Sequence, residues 1–273
     1  MTAHGASAMV TEARDHPALE WGARIGFMVY GVVYVVVGWL AVQLALGGGH
    51  SGSVSRKGAL EEVAHQPLGG LMLWIAFAGF CALTLWEATN AVAGHREQEG
   101  GKRVAGRLGS AGKAIVFAAF AVSTARVAMG SGHSSSGTQS WTARLLRLPG
   151  GPVIVGVVGL AIAGYGCYSV YKGLSDRWRK ELDPQGNRGH LGTAITFLAR
   201  TGHASRGVAF GIIGALFVWA AITQDPRHSG GLDQALQRLR GAPFGTVLLV
   251  LVAIGLACFG VYNVAKGWYL RRA

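Results

Sequence analysis

Ala23-Arg24-Ile25-Gly26 opens an uncharged apolar run that continues to Leu46. The same step recurs as Gly106-Arg107-Leu108-Gly109 and as Ala199-Arg200-Thr201-Gly202. A proline comes 42 or 43 residues after each arginine, with a glycine two positions on: Pro67 and Gly69, Pro149 and Gly151, Pro243 and Gly245. A second apolar stretch follows each proline. Self-similarity at a fixed period defines an architecture before any single residue does. The unit here is a pair of long apolar segments, used three times.

Composition agrees with that reading. Of 273 residues, 51% are hydrophobic and 14% charged, and the mean hydropathy is +0.35. Soluble domains carry about 25% charged residues, so much of this surface faces something other than water. The 43 glycines follow no collagen period; glycine weakens a soluble helix but lets membrane helices approach closely. The net charge of +12 comes from basic residues that flank apolar runs. That placement points to orientation in a bilayer, not to nucleic acid. Cys81, Cys167 and Cys258 lie inside apolar segments without C-x-x-C spacing, so they read as small packing residues.

An apolar run of about 18 residues or more reads as a membrane-spanning helix. Ile25–Leu46, Leu68–Trp86, Pro149–Tyr171, Gly207–Gln224 and Gly241–Ala265 meet that standard. The third span in chain order is weak, because Lys113 and Arg126 leave only Ala114–Ala125 uncharged; its place in the repeat identifies it. The expected fold is all-α: a six-helix transmembrane bundle of three tandem two-helix repeats. Each repeat crosses twice, so successive repeats enter from the same side, as a pseudo-threefold about the membrane normal requires. Residues 55–66, 138–147 and 231–240 carry apolar residues at helical spacing and are expected as short amphipathic helices on the outer surface. The expected divisions are a disordered polar tail over 1–20 and repeats over 21–95, 104–178 and 197–272. The first apolar run is longer than a signal-peptide core, so it reads as an uncleaved helix.

Of the 25 lysines and arginines, 17 fall on one side of such a bundle. The positive-inside rule makes that side cytoplasmic, with both termini on it, in the bacterial inner membrane. Tryptophans fall near both sets of expected helix ends, as headgroup belts do. All seven prolines lie in loops or at helix starts, so the broken helices of many transporters are not signalled.

The Ala-Arg-x-Gly step followed by aromatic and glycine residues (Gly31-Val32-Val33-Tyr34, Gly207-Val208-Ala209-Phe210) carries a resemblance. So does Pro-x-Gly leading to a helix that ends in tyrosine, as in Pro243-Phe244-Gly245 and Gly260-Val261-Tyr262. Together they resemble the bacterial integral-membrane domain-of-unknown-function family 1206 in three copies, from about Ala23 to Arg272. The middle copy departs, with Ala114 where the others have Gly31 and Gly207. The resemblance implies the topology and supplies no catalytic residue.

Residues able to carry chemistry are few. Glu87 is an acid in an apolar segment; its counterparts are Ser169 and Asn263. An intramembrane acid suggests a proton or cation relay. Glu87 is also shallow, which suits an ion pair with Lys113 or with Arg24, Arg107 or Arg200. Arg126, equivalent to Gln43 and Trp219, is either a selectivity charge at an outer mouth or a snorkelling side chain. His50, His133 and His228, each followed by serine, recur in the three outer loops. Three imidazoles at one level suit a metal or pH site, although inheritance of a loop sequence explains them without a ligand. Tyr34, Phe117 and Phe210 are equivalent aromatic positions, for packing or for lining an axis. No phosphate loop, G-x-S-x-G elbow or H-E-x-x-H occurs, so neither an enzyme nor a cofactor is expected. Two functions remain in view: small-ligand or ion binding and permeation along the repeat axis, or a structural or accessory role without transport. The partners expected are the bilayer, including anionic lipids at the basic side, and no nucleic acid.

Overall fold

A computed structural model describes residues 17–46, 69–93, 100–130, 137–182, 189–241 and 243–269. The described residues form eight α-helices and no sheet. These are α1 (Pro17–Ala45), α2 (Gly69–Ala93), α3 (Gly100–Ala128), α4 (Gly137–Leu146), α5 (Gly151–Leu174), α6 (Gly189–Thr223), α7 (Leu232–Arg240) and α8 (Gly245–Trp268). Two 3-10 turns, η1 (Arg177–Glu181) and η2 (Pro226–His228), complete them. All but α4 and α7 are long and apolar enough to cross a membrane, which makes six spans. The protein is a multi-pass membrane protein.

The third span meets expectation, and the fifth departs from it. The weak third one is continuous over Gly100–Ala128, because lysine and arginine have good helix propensity and break no backbone bond. The fifth begins not at Gly207 but at Gly189, and runs for 35 residues. Arg200 and Arg206 fall inside this helix, and a search for uncharged runs necessarily cuts it there. Short helices occur as expected in two of the loops inside a repeat, as α4 and α7. The corresponding loop of the first repeat, residues 55–66, lies outside the described residues, as do residues 1–16 of the tail expected over 1–20; residues 17–20 of that tail are instead the first turn of α1.

The chain divides into two compact units. One holds α1 up to Gly31, α2, α3 and the end of α8 from Asn263; the other holds the rest of α1, then α4 to α7, and α8 up to Tyr262. In the first unit, Gly26 of α1 lies on Gly79 and Leu83 of α2, where a Cβ would collide with both. In the second, Gly202 of α6 lies on Phe259 of α8, and Gly255 lies on Ser205. The two contacts are equivalent. Gly26 and Gly202 each stand two residues after the repeat arginine; Gly79 and Gly255 stand 12 residues after the repeat proline. The glycine of Arg-x-Gly is therefore a contact point between the two helices of a repeat. In the middle repeat Gly109 has nothing within 4 Å.

A longer seam joins α5 to α6. Gly159, Gly166 and Gly173 recur every seven residues on α5, and Gly207 and Gly214 do so on α6. A seven-residue period keeps a contact on one face of a helix. A Cβ on Gly166 would lie 2.7 Å from the Gly207 carbonyl oxygen and 2.9 Å from Gly211 N. One on Gly159 would lie 2.9 Å from the Gly214 carbonyl oxygen. In the same way Gly38 of α1 meets Ala253 and Ala257 of α8.

The Pro-x-Gly step is a corner. Gly150 takes φ 78°, and its counterpart Phe244 takes φ 58°, a left-handed conformation that costs a side-chain-bearing residue energy. The next glycine packs on the end of the surface helix: Gly151 on the Leu145 carbonyl, Gly245 on the carbonyls of Leu239 and Arg240. Each surface helix is thereby pinned to the span that follows it.

Five tryptophans are exposed near helix ends (Trp21, Trp39, Trp74, Trp219, Trp268), as belts require, but Trp86 and Trp178 are buried. Trp178 packs edge-on against Tyr262, with ring centroids 5.8 Å apart.

Gly166→Ala should place a methyl on the backbone of α6 and lower thermal stability in mild detergent by about 1–3 kcal/mol. Gly164→Ala, two residues away and facing open space, should leave it nearly unchanged. Equal effects of the two substitutions would refute the seam.

Candidate functional site

Polar side chains gather where the repeat fixes two positions. One lies 20 residues after the repeat proline: Glu87, Ser169 and Asn263. The other lies six residues after the repeat arginine: Tyr30, Lys113 and Arg206.

In the first unit, Lys113 Nζ of α3 donates to Glu87 Oε1 of α2 at 3.3 Å. Glu87 is buried, whereas the lysine side chain is 49% exposed. Of the pairings open in the sequence, Lys113 is thus the one that forms. Below it, Phe80 packs on Phe120, with centroids 5.6 Å apart, and Phe120 stacks with Tyr30. Phe117 meets Tyr30 edge-on at 5.4 Å. The pair therefore caps an aromatic cluster. A lone carboxylate in an apolar setting would cost several kcal/mol; the ammonium offsets that while its own far side stays outside the unit.

In the second unit, Arg206 lies near the middle of the 33-residue apolar segment Leu191–Thr223. Four rings surround its guanidinium. The carbon at its centre is 4.7 Å from the Phe259 centroid, 5.2 Å from Tyr165, 5.3 Å from Phe210 and 5.8 Å from Tyr34. A ring contact is worth about 0.5–2 kcal/mol, and even at a span's centre an arginine costs no more than about 2.5–3.5 kcal/mol on insertion scales. Four contacts together match that cost. One turn away, buried His203 touches Phe259 at 5.2 Å and Tyr262 at 5.5 Å. Ser169 Oγ of α5 donates to the His203 carbonyl at 3.0 Å and lies 3.4 Å from His203 Nδ1. Gly173 makes this possible, because a Cβ there would lie 2.8 Å from His203 Cβ. The result is a permanent positive charge, an imidazole and a hydroxyl around one phenylalanine ring.

At the end of this unit where α5 finishes, Arg200 grips Asp176 with two hydrogen bonds, Nε to Oδ1 at 3.2 Å and Nη2 to Oδ2 at 3.0 Å. Arg179 adds a 3.6 Å contact to the same carboxylate and donates to Thr196 Oγ1 at 3.1 Å. The Arg200 hydrogen bonds hold the Asp176 carboxyl below its usual range. Arg200, read in the sequence as a topological charge, is thus also a clamp between the η1 turn and α6.

Arg126 is exposed in the last turn of α3. Asn263 is buried on α8. His228 is in η2, with Nδ1 3.3 Å from Thr223 Oγ1 and 3.7 Å from Asp225 Oδ2. His50 and His133 lie outside the described residues. Among the described residues, no three histidine, cysteine or acidic side chains converge as a metal site would need. Tyr34 and Phe210, equivalent in the repeat, both face Arg206, and Phe117 faces Tyr30. Sequence reasoning missed His203 and the surroundings of Arg206. The available signal was a histidine and an arginine three residues apart inside one apolar stretch.

The profile of the family described as Domain of Unknown Function (DUF1206) matches the chain three times, over 25–94, 108–176 and 201–270. An uncharacterized protein of Bacillus subtilis (strain 168), YxxB, is 28% identical over 256 residues, covering 93% of this chain and 92% of its own length. No solved structure matches.

Two outcomes follow from the geometry. The Glu87→Gln, Lys113→Gln double variant should destabilise the protein less than the sum of the two single substitutions. The coupling should be about 1 kcal/mol, discounted for the half-exposed lysine, in a double-mutant cycle read by thermal unfolding. Asp176 titrates below its unfolded value, so its contribution is present at neutral pH and is lost as pH falls through the lowered value. Asp176→Asn should remove that acid-range slope from a stability–pH profile while leaving the neutral-to-alkaline limb parallel to wild type.

Proposed function

Given that the chain belongs to the family described as Domain of Unknown Function (DUF1206), we propose that it binds a small anionic ligand among its helices at the Arg206–His203–Ser169 cluster. The observation that carries the reading is Arg206 within its four rings. An arginine placed in an apolar span and caged by aromatic faces offers a planar fork of N–H donors that suits oxyanions. Intramembrane charges mark ligand or ion paths by default. A histidine and a serine one turn away add two more hydrogen-bonding groups, and Glu87 with Lys113 occupies the equivalent sequence positions in another copy of the repeat. The role is binding and permeation, not covalent chemistry, and needs no cofactor. The setting is the bacterial inner membrane with both termini cytoplasmic, supported by 17 of 25 basic residues on one side of the spans.

A second reading, a structural or accessory membrane protein without transport, is favoured by the glycine seam. That seam brings α5 and α6 into backbone contact at Gly159, Gly166 and Gly173.

Thermal unfolding of detergent-purified protein against chloride, phosphate, acetate and succinate separates the two. A ligand at 100 times its dissociation constant stabilises by about 2.7 kcal/mol. At least one anion should raise the midpoint of wild type and fail to raise that of Arg206→Gln, and the same anion should cross liposomes in a protein-dependent way. A panel without any shift, or an equal shift in Arg206→Gln, favours the structural reading.

A further inference from the structure

The second unit carries a collar of arginines at the end where α5 begins and α6 finishes. Arg144 and Arg147 come from α4 and the turn after it, Arg227 from η2, and Arg238 and Arg240 from the last turn of α7. All five are exposed. The elements are contiguous: η2 packs against both α4 and α6, and α7 packs against α6. Arg144 and Arg238 are equivalent, each five residues before the corner proline. Asp225 is engaged locally, accepting from Arg227 N at 2.8 Å and facing His228.

Simple causes explain only part of this. A basic residue near a helix C-terminus is favoured by the helix dipole, which covers Arg144, Arg238 and Arg240 but neither Arg147 nor Arg227. Topological charge does not explain it either, because by charge distribution this is the poorer side of the protein. The choice of residue also matters: these five positions hold arginine and no lysine. Lysine serves as well for bulk charge, whereas the guanidinium fork matches phosphate oxygens two at a time.

A second observation identifies the occupant. Exposed apolar side chains lie beside the collar: Leu148 at 52% exposure and Phe244 at 86%, both at the corners, with Trp219 and Ile222 on the last turns of α6. Phe244 holds a left-handed φ that its counterpart Gly150 adopts without strain, so a large apolar group is kept there against backbone preference. Charge for a phosphate next to apolar surface for a chain is the outline of one molecule. We propose that this collar is a binding site for anionic phospholipid, with the phosphodiester at the arginines and an acyl chain along Phe244, Leu148, Trp219 and Ile222. The site is separate from the Arg206 cluster and does not depend on its role.

The test uses the full chain, extracted into nanodiscs of mixed phosphatidylglycerol and phosphatidylcholine, with retained lipid counted by native mass spectrometry. Wild type should retain phosphatidylglycerol over phosphatidylcholine. A variant with all five arginines changed to glutamine should lose that preference by more than about tenfold, since each surface arginine is worth about fivefold near anionic lipid. The five-lysine variant should fall between the two. A Phe244→Ser variant with the arginines intact should retain phosphatidylglycerol less well, which a free phosphate site would not do. Unchanged preference in the glutamine variant would overturn the proposal, provided its thermal midpoint matches wild type. So would full displacement of the lipid by millimolar inorganic phosphate, or retention of an acidic protein in place of lipid. Equal retention by the lysine variant would overturn the bidentate geometry. Anion shifts at Arg206 are read in detergent without this lipid, so failure there leaves the collar standing, and the reverse.

Discussion

Lipid gives helices no hydrophobic reason to associate, because acyl chains are as apolar as leucine. Association must come from close contact, and close contact requires that one backbone reach another. The glycine positions in this protein supply that reach. Gly26 on Gly79, Gly202 on Phe259 and Gly255 on Ser205 bring the two helices of a repeat together, and Gly159, Gly166 and Gly173 bring α5 onto α6. Other features depend on those approaches. Ser169 reaches His203 only because Gly173 lets α6 come near. Phe259 can serve His203 and Arg206 together only because Gly202 gives it room.

The repeat separates what is held constant from what varies. The packing positions two residues after the arginine stay glycine in all three copies. The polar positions diverge: Glu87, Ser169 and Asn263 at one, Tyr30, Lys113 and Arg206 at the other. Each copy uses its pair differently. One forms a salt bridge; another sets the hydroxyl against a histidine and the arginine against four rings. A shared scaffold with divergent polar positions is the pattern expected when chemistry is added to a duplicated hairpin.

The architecture was legible because length and hydropathy are local properties. Six spans, two short helices and the corners after Pro149 and Pro243 follow from windows of about 20 residues. The polar clusters were less legible, because they depend on which faces meet. Glu87 stood out as an acid in an apolar run, and its partner came from a short set of cations. Arg206 only marked where an uncharged run is cut, since sequence alone does not show that Tyr34, Tyr165, Phe210 and Phe259, from four different helices, converge on it. His203 was invisible for the same reason. Trp178 read as a belt residue from its place beside a helix end, whereas its ring packs inward on Tyr262.

The length of α6 has its own consequence. Thirty-five residues span about 52 Å at 1.5 Å each, and the hydrocarbon of a bilayer is about 30 Å thick. With Thr223 at one border, Arg200 falls about 34 Å away, at the opposite border, and the turns from Gly189 to Ala199 stand beyond it as a rigid post. The Arg200–Asp176 grip is then a waterline mark. A thicker bilayer draws it among acyl chains and a thinner one leaves it wet, so hydrophobic mismatch acts on this one ion pair before it strains any other part of the helix.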